Sequence, residues 1–259
     1  MKIFILCGGL GTRLNFEGTL KAKPMVMVGR DPIIKHIINN FSDQGFGEFV
    51  LCLGHKSETI INYFLIEKKS KSKIVSKNKN YLKIFLYEKK KKLTIHLINT
   101  GKNSGTGGRI KIAYKKLKLN EDIFMTYGDG LCNVNIRKLI KFHYKNKATS
   151  TLTAVRPKER YGIIEIKNHK ITKFNNSKDK SSVYINGGFF VISKKAINLI
   201  KDKNDYWEDF PLKYLRKNKK LFAFKHDGFW HSLDTMKDKN DLNNLYKNKR
   251  ILWKIKKIN

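Results

Sequence analysis

The chain has 259 residues, of which 41% are hydrophobic, so it is long enough to bury a substantial core and does not belong to the disordered class. Its formal net charge of +34 is typical of nucleic-acid binders, but only eight of its 55 basic residues are arginine. Proteins that recognise nucleic-acid bases favour arginine, so we interpret the lysines as a solvated surface that attracts polyanionic substrates. We expect neither a nucleic-acid partner nor a membrane partner.

The first 66 residues predict alternating strands and helices. Residues 2–7 form a continuous apolar run that is typical of a strand buried on both faces, and they are too short for the apolar region of a signal peptide. Pro32 precedes apolar residues at helical spacing, which predicts a helix. A second buried strand is expected at 48–53 and a helix at about 58–66. This order predicts an α/β sheet.

Residues 67–92 interrupt this pattern with a lysine-rich stretch. We interpret it as a small projecting hairpin of two strands, either a solvated excursion or a contact between subunits.

The alternation then resumes, with a strand at Leu93–Asn99, a helix after Gly108, a strand at Ile123–Tyr127 and a helix at 136–145. After residue 149, short alternating runs predict a mixed or antiparallel extension of the sheet, at 151–155, 161–166, 171–174 and 184–192. Helices are expected at about 194–200, 206–217 and 236–248. The absence of a repeat or linker predicts one α/β domain over residues 1–259.

Three cysteines, Cys7, Cys52 and Cys132, each have apolar or glycine neighbours and no metal-binding spacing. Buried, reduced thiols are the usual state for this pattern. No stretch approaches the roughly 18 apolar residues of a membrane span. We therefore expect a cytoplasmic protein.

A glycine-rich loop follows the first strand and is the strongest chemical signal. It brings backbone N–H groups and one arginine to a place where a phosphate chain can bind, and its residues are Leu6, Gly8, Gly9, Leu10, Gly11, Thr12 and Arg13. Leu14 stands where a dinucleotide-binding fingerprint needs glycine, and the Gly-Lys-Ser/Thr of a P-loop is absent. A plain tight turn would require neither Thr12-Arg13 nor the Lys23-Pro24-Met25-Val26 that follows.

Two aspartates are candidate metal ligands. Asp129 lies between glycines at the end of an apolar strand, where its carboxylate can reach a Mg²⁺ ion bound to phosphate oxygens, although such turns also occur without a metal. Asp234 is its proposed partner, and the alternative is that Asp234 is only the N-cap of the last helix.

Taken together, the motifs resemble the bacterial glucose-1-phosphate cytidylyltransferases over nearly the whole chain. In order, they are LCGGLGTRL (6–14), KPMV (23–26), TGGR (106–109), TYGDG (126–130), INGGFF (185–190), GFW (228–230) and LDT (233–235). The resemblance implies the nucleotide-diphospho-sugar transferase fold, a Rossmann-like, mostly parallel mixed sheet flanked by helices. It also implies a homo-oligomer.

The resemblance further implies the roles of individual residues. The loop at 6–14 would hold CTP, with Arg13 and Lys23 as catalytic cations and with Ser104, Arg109 and Gly128 beside the nucleotide. Asp129 and Asp234 would hold Mg²⁺, and the phosphorylated acceptor would contact Tyr127, Lys178, Asn186 and Gly187. Glucose 1-phosphate would become CDP-glucose, with release of pyrophosphate. Phosphate is already a nucleophile at neutral pH, so positioning and charge neutralisation suffice without a general base.

One stretch departs from the family. Its Glu-Lys-Pro triplet, whose lysine helps to hold the sugar phosphate, is replaced by Asn176, Ser177 and Lys178. Lys178 could substitute for that lysine from one residue away, but a shift of one residue along an extended segment points a side chain to the other face. The acceptor therefore stays open between glucose 1-phosphate, another sugar phosphate and a phosphate that is not a sugar.

Overall fold

The fold is built on a mixed β-sheet flanked by helices. The computed structural model describes residues 1–9, 21–67, 71–156, 163–167, 170–175 and 184–255. Its strands are β1 Ile3–Cys7, β2 Met27–Val28, β3 Asp31–Pro32, β4 Glu48–Leu53, β5 Ser72–Asn78, β6 Tyr81–Glu88, β7 Lys91–Asn99, β8 Ile123–Tyr127, β9 Gly130–Cys132, β10 Ser150–Val155, β11 Ile163–Lys167, β12 Lys170–Asn175, β13 Ile185–Ile192, β14 Leu221–His226 and β15 Trp230–Ser232. Its helices are α1 Ile33–Asp43, α2 Ser57–Asn62, α3 Thr106–Lys116, α4 Ile136–Lys145, α5 Lys194–Ile197, α6 Phe210–Lys217 and α7 Met236–Lys247.

The main sheet has the strand order β14-β10-β13-β8-β1-β4-β7-β6-β5. Its centre, β8-β1-β4-β7, is parallel, as the continuous apolar runs predict. β13 pairs antiparallel with both β8 and β10, which confirms the predicted mixed extension for the runs at 151–155 and 184–192. The described parts of the runs at 161–166 and 171–174 form β11 and β12, a separate two-stranded sheet, so their place in the extension was predicted wrongly. The α/β fold class is therefore confirmed, whereas the single domain over 1–259 stays a prediction.

The basic excursion is a hairpin, and it continues the main sheet. β5 pairs antiparallel with β6, and β6 pairs antiparallel with β7 along its length. β6 alternates buried and partly exposed residues, while β5 is exposed along nearly all of its length at the sheet edge. Lysines on an exposed edge strand disfavour pairing with other chains, which gives the charge of this segment a structural reason.

Hydrophobic cores lie on both faces of the sheet because successive residues of a strand point to opposite sides. Ile3 and Ile5 of β1 face the core that includes α1 and α4, whereas Phe4 and Leu6 face the core that includes α3 and Trp207. None of the described helices is long and apolar enough to span a membrane.

Several helix bounds differ from the sequence prediction. The helix expected at 58–66 is α2 followed by a π-helical turn at Tyr63–Glu67. Only Lys194–Ile197 is α-helical in the segment expected at 194–200, because Leu199 and Ile200 donate to carbonyls three residues back. α6 begins at Phe210 because Pro211 suits a first helical turn, while Trp207 donates its N–H to Thr106.

Candidate active site

A cavity of about 470 Å³ opens where β1 and β8 end. This is the edge at which open α/β sheets bind ligands. Residues predicted from the sequence make up much of its wall, namely Leu6, Gly8, Gly9, Lys23, Ser104, Arg109, Tyr127, Gly128 and Asp129. The remaining lining residues are Cys7, Pro24, Lys102, Asn103, Thr106 and Tyr206. The structure thus brings together the start of the loop, the lysine and the first aspartate that sequence reasoning selected.

Lys23 bridges the two predicted metal ligands. Its Nζ lies 2.5 Å from Oδ2 of Asp129 and 2.8 Å from Oδ1 of Asp234. Burial favours a lower pKa for Lys23, but the two carboxylates outweigh it, and its pKa is raised above the usual value. Lys23 is therefore a permanent cation at neutral pH. Since both carboxylates reach one ammonium group, they are also close enough to share a metal ion.

A small two-stranded sheet holds the aspartates side by side. β9 pairs antiparallel with β15, with Gly130 opposite Ser232. Asp129 and Asp234 flank this pair, and the N–H of Leu233 donates to the carbonyl of Asp129 at 2.9 Å. The juxtaposition is fixed by the main chain and does not depend on side-chain rotamers alone.

Asp234 is not the N-cap of the last helix. That position belongs to Thr235, whose side chain accepts from the N–H of Asp238 in a capping box. Oδ2 of the fully buried Asp238 also accepts from the N–H groups of Asp234 and Thr235. The alternative role considered for Asp234 is therefore wrong, and its carboxylate points to Lys23 instead.

Arg109 is a buried side chain whose hydrogen bonds connect the chain segments of the cavity wall. It is 4% exposed, and its guanidinium donates to the carbonyls of Gly8, Leu53, Gly101 and Lys102 and to the hydroxyl of Thr100. No carboxylate pairs with it among the described residues. A Cβ on Gly8 would lie 2.1 Å from Nη1 of Arg109, so glycine is required there for close approach.

Glycines at the start of α3 accommodate a neighbouring loop. Gly105 and Gly108 donate their N–H groups to the carbonyls of Lys203 and Asp205, at 2.9 and 3.0 Å. A Cβ on Gly108 would lie 1.8 Å from the carbonyl oxygen of Lys203. Residues 203–208 are thereby docked on the first turn of α3.

The docked loop brings a carboxylate beside Tyr127. Glu208 accepts hydrogen bonds from the hydroxyl of Tyr127 and from the hydroxyl of Thr106. Burial, together with the Glu208 charge, raises the pKa of Tyr127 far above its usual value, so this hydroxyl stays protonated and donates. Tyr127 also interacts with Asn186, whose Oδ1 accepts from the N–H of Gly188.

Some of the remaining predicted site residues are described by the structure and others are not. Asn186 and Gly187 lie on β13 next to Tyr127, and the carbonyl of Gly187 accepts from the indole of Trp230 at 2.7 Å. Leu10, Gly11, Thr12, Arg13 and Lys178 lie outside the described residues, so their roles stay predictions.

Sequence reasoning missed the lining residues Lys102, Asn103, Thr106 and Tyr206 and the adjacent Glu208. Thr106 lies within the TGGR motif and could have been selected from it. The segment that carries Tyr206 and Glu208 was predicted as the start of a helix at 206–217, and it contains no motif that indicates a site.

Comparisons with known proteins place these features in a family. Residues 2–249 match the family model described as nucleotidyl transferase. A glucose-1-phosphate cytidylyltransferase from Salmonella typhimurium is 36% identical over 255 residues, which cover 98% of this chain and 99% of that protein. A D-glycero-α-D-manno-heptose 1-phosphate guanylyltransferase from Aneurinibacillus thermoaerophilus is 28% identical over 89% of this chain and 91% of its own length. The structure of a UDP-glucose pyrophosphorylase with UDP-glucose superposes with a TM-score of 0.68 at 16% identity, covering 96% of this chain and 99% of that one.

Proposed function

We propose that this chain, which belongs to the nucleotidyl transferase family, transfers the cytidylyl group of CTP to glucose 1-phosphate and releases pyrophosphate. Nucleotidyl transfer to a sugar phosphate is the reaction class of its relatives, and the base and the sugar are the proposed part. One observation carries the proposal: Lys23 lies between Asp129 and Asp234 at the wall of a cavity built from a glycine loop.

These residues fit a divalent cation. Two carboxylates that share one cation, next to a phosphate-binding loop, form the kind of donor set that Mg²⁺ uses together with phosphate oxygens. We propose Mg²⁺ as the cofactor, held by Asp129 and Asp234. When bound, it would supply positive charge to the triphosphate. Lys23 would then be released toward the phosphates, because its carboxylate partners would bind the metal.

The reaction needs positioning more than covalent catalysis. A phosphate oxygen of the acceptor attacks the α-phosphorus of CTP, a new P–O bond forms, and the bond to pyrophosphate breaks with its electron pair leaving on pyrophosphate. The attacking oxygen is already ionised at neutral pH, so the chain supplies orientation and charge. Burial raises the pKa of the Cys7 thiol at the cavity wall, which excludes it as a thiolate nucleophile.

The test is pyrophosphate release by the purified protein with Mg²⁺. CTP is compared with UTP, dTTP and GTP, and glucose 1-phosphate with other sugar 1-phosphates and with phosphates that are not sugars. We expect turnover with CTP and glucose 1-phosphate. Asp129→Asn should lower kcat by about 100-fold to 1,000-fold, by analogy with the loss of one preorganised charge partner. Asp43→Asn is the matched control, because Asp43 pairs with Lys89 on the exposed surface.

The second candidate is cytidylyl transfer to a different phosphate. It is favoured by Asn176, Ser177 and Lys178, which stand in place of the Glu-Lys-Pro triplet. CTP turnover restricted to another acceptor would support this candidate and contradict the first. Preference for another nucleotide would contradict the assignment of CTP.

Assembly and location stay proposals as well. We propose a homo-oligomer with the exposed side chains of Ile74 and Val75 on β5 as a candidate contact, since the lysines of this strand disfavour only strand-to-strand pairing at its edge. Light scattering of the wild type and of Ile74→Lys tests this contact. A cytoplasmic location is also retained, since Cys7, Cys52 and Cys132 are free, buried thiols in the structure.

A further inference from the structure

Glu208 is a carboxylate beside the cavity, and the chemistry proposed above does not use it. It is not part of the metal pair, because its oxygens accept from Tyr127 and Thr106. A carboxylate repels phosphate groups but readily accepts hydrogen bonds from hydroxyl groups. Its chemistry therefore suits the part of a substrate that carries hydroxyls and no charge.

The position of Glu208 is built into the fold. The preceding residue, Trp207, is fully buried in the core beneath α3 and donates its N–H to Oγ1 of Thr106 at 2.8 Å. The close approach of the 203–205 carbonyls to Gly105 and Gly108 fixes the same loop. The carboxylate is consequently preorganised and does not lose much conformational freedom when a ligand binds.

The hydrogen-bond inventory of Glu208 leaves room for a ligand. Each oxygen of an ionised carboxylate has two acceptor sites, and each oxygen of Glu208 receives one hydroxyl hydrogen bond within the protein. The side chain is partly exposed, as binding of a further hydroxyl requires. The hydroxyls of Tyr127 and Thr106 each donate to a different oxygen and orient the carboxylate.

The surroundings also match a polyhydroxy ring. Tyr206, two residues before Glu208, lines the cavity and is 56% exposed, which offers an aromatic face beside the carboxylate. Asn186 contributes an amide next to Tyr127. A sugar ring has apolar C–H faces and polar hydroxyl edges, so an aromatic face next to carboxylate and amide groups is complementary to it.

We propose that Glu208 binds one or more hydroxyl groups of the acceptor and selects a sugar phosphate over a phosphate without ring hydroxyls. Tyr127 and Thr106 act as positioning residues for its carboxylate. The proposal rests on the proposed function and deepens it, because it names the residue that recognises the non-phosphate part of the acceptor. It also supplies a sugar contact that does not depend on the missing Glu-Lys-Pro triplet.

The test pairs a substitution with single-hydroxyl deletions in the substrate. Wild type and Glu208→Gln are compared in pyrophosphate release with the preferred sugar 1-phosphate and with its monodeoxy analogues. For the wild type, we expect kcat/KM to fall by about tenfold to 100-fold on the analogue that lacks the bound hydroxyl, the range for a hydrogen bond to a charged group. Glu208→Gln should lose a similar factor on the complete sugar phosphate, and none further on that analogue, while its KM for CTP stays within about twofold.

The controls separate binding from structure. Asp209→Asn is the matched variant, because Asp209 adjoins Glu208 but pairs with Lys213 on the exposed surface, and it should match the wild type. Glu208→Gln is nearly isosteric, and thermal unfolding verifies its fold. An equal loss on every acceptor, or a parallel rise in the KM for CTP, would mean that Glu208 only holds the loop, and this would overturn the proposal.

The outcomes also separate this proposal from the proposed function. Turnover of sugar 1-phosphates by the wild type, without the coupling between Glu208 and one hydroxyl, overturns the role of Glu208 alone. Turnover with CTP only on phosphates that carry no sugar overturns both proposals, because no ring hydroxyl is then available for Glu208 to bind.

Discussion

Replacement of Arg109 by methionine should weaken the ligand-free protein. The guanidinium makes five hydrogen bonds of 2.7–3.2 Å to groups on three separate segments of the chain. Hydrogen bonds to charged groups contribute roughly 1.5–3 kcal/mol each, but they are not additive, and burial of an unpaired cation opposes them. We therefore expect a net loss of about 3–5 kcal/mol, similar to the loss of one partner of a buried ion pair.

This loss is measurable without any substrate. In a chain of this size, 1 kcal/mol shifts the unfolding midpoint by about 2–4 °C, so Arg109→Met should unfold roughly 6–20 °C below the wild type. Arg137→Met is the control, because Arg137 is exposed and donates to the carbonyl of Gln44, and it should change stability by roughly 0.5 kcal/mol or less. If Arg109→Met matched this control in stability but raised the KM for CTP, Arg109 would act on the nucleotide, and the positioning role would be refuted.

Three further predictions concern stability. Asp238→Asn removes the charge that fixes the main chain of Asp234, so urea denaturation should show an unfolding free energy lower by about 1–3 kcal/mol and Mg²⁺ titrations a weaker apparent affinity. An unchanged Mg²⁺ affinity would contradict the role of Asp238 in positioning Asp234. Lys35→Met breaks a mostly buried ion pair with Glu88 and should cost about 3 kcal/mol, much of which Lys35→Met/Glu88→Leu should recover; no recovery would refute the argument. Burial lowers the pKa of His36, His96, His143 and His226, so these side chains take up protons in the unfolded chain first as the pH falls. The unfolding free energy should therefore decrease below about pH 6.5, and equal values at pH 7 and pH 5.5 would contradict this effect.

The parts of the fold that follow from local patterns were predictable from the sequence. β1, β4 and β8 are continuous apolar runs, and each matches its predicted span to within a residue. β14 was missed because its run of four apolar residues, Leu221–Phe224, is short and lies at a sheet edge, where its residues are exposed or only partly buried. The hairpin of β5 and β6 was predicted, but its attachment to β7 depends on pairing over the length of a third strand, which no local signal reports.

In the candidate site too, residues in local motifs were predictable from the sequence, whereas features that depend on distant parts of the chain were not. Gly8, Gly9, Gly128, Lys23 and Asp129 lie in motifs whose residue types indicate their chemistry, and the structure places these five residues at one cavity. The pairing of Asp129 with Asp234 was proposed from the sequence, but the strands that hold it, β9 and β15, have three residues each and are too short to be recognised. Glu208 was missed for a further reason: its partners Thr106 and Tyr127 come from distant parts of the chain, and only the docked loop brings the three together.

The antiparallel pairing of β9 with β15 also determines when the candidate site can form during protein synthesis. A ribosome has synthesised all of β1, β4, β7 and β8 before it reaches Trp230, so the parallel centre of the sheet can start to form while Asp129 still lacks its partner. The carboxylate pair forms only when β15 pairs with β9, which lies far earlier in the chain, and closing such a long loop costs conformational entropy. A nascent or truncated chain that ends before β15 would thus present Lys23 and Asp129 without Asp234, so the candidate site is assembled only after residue 234 has been synthesised.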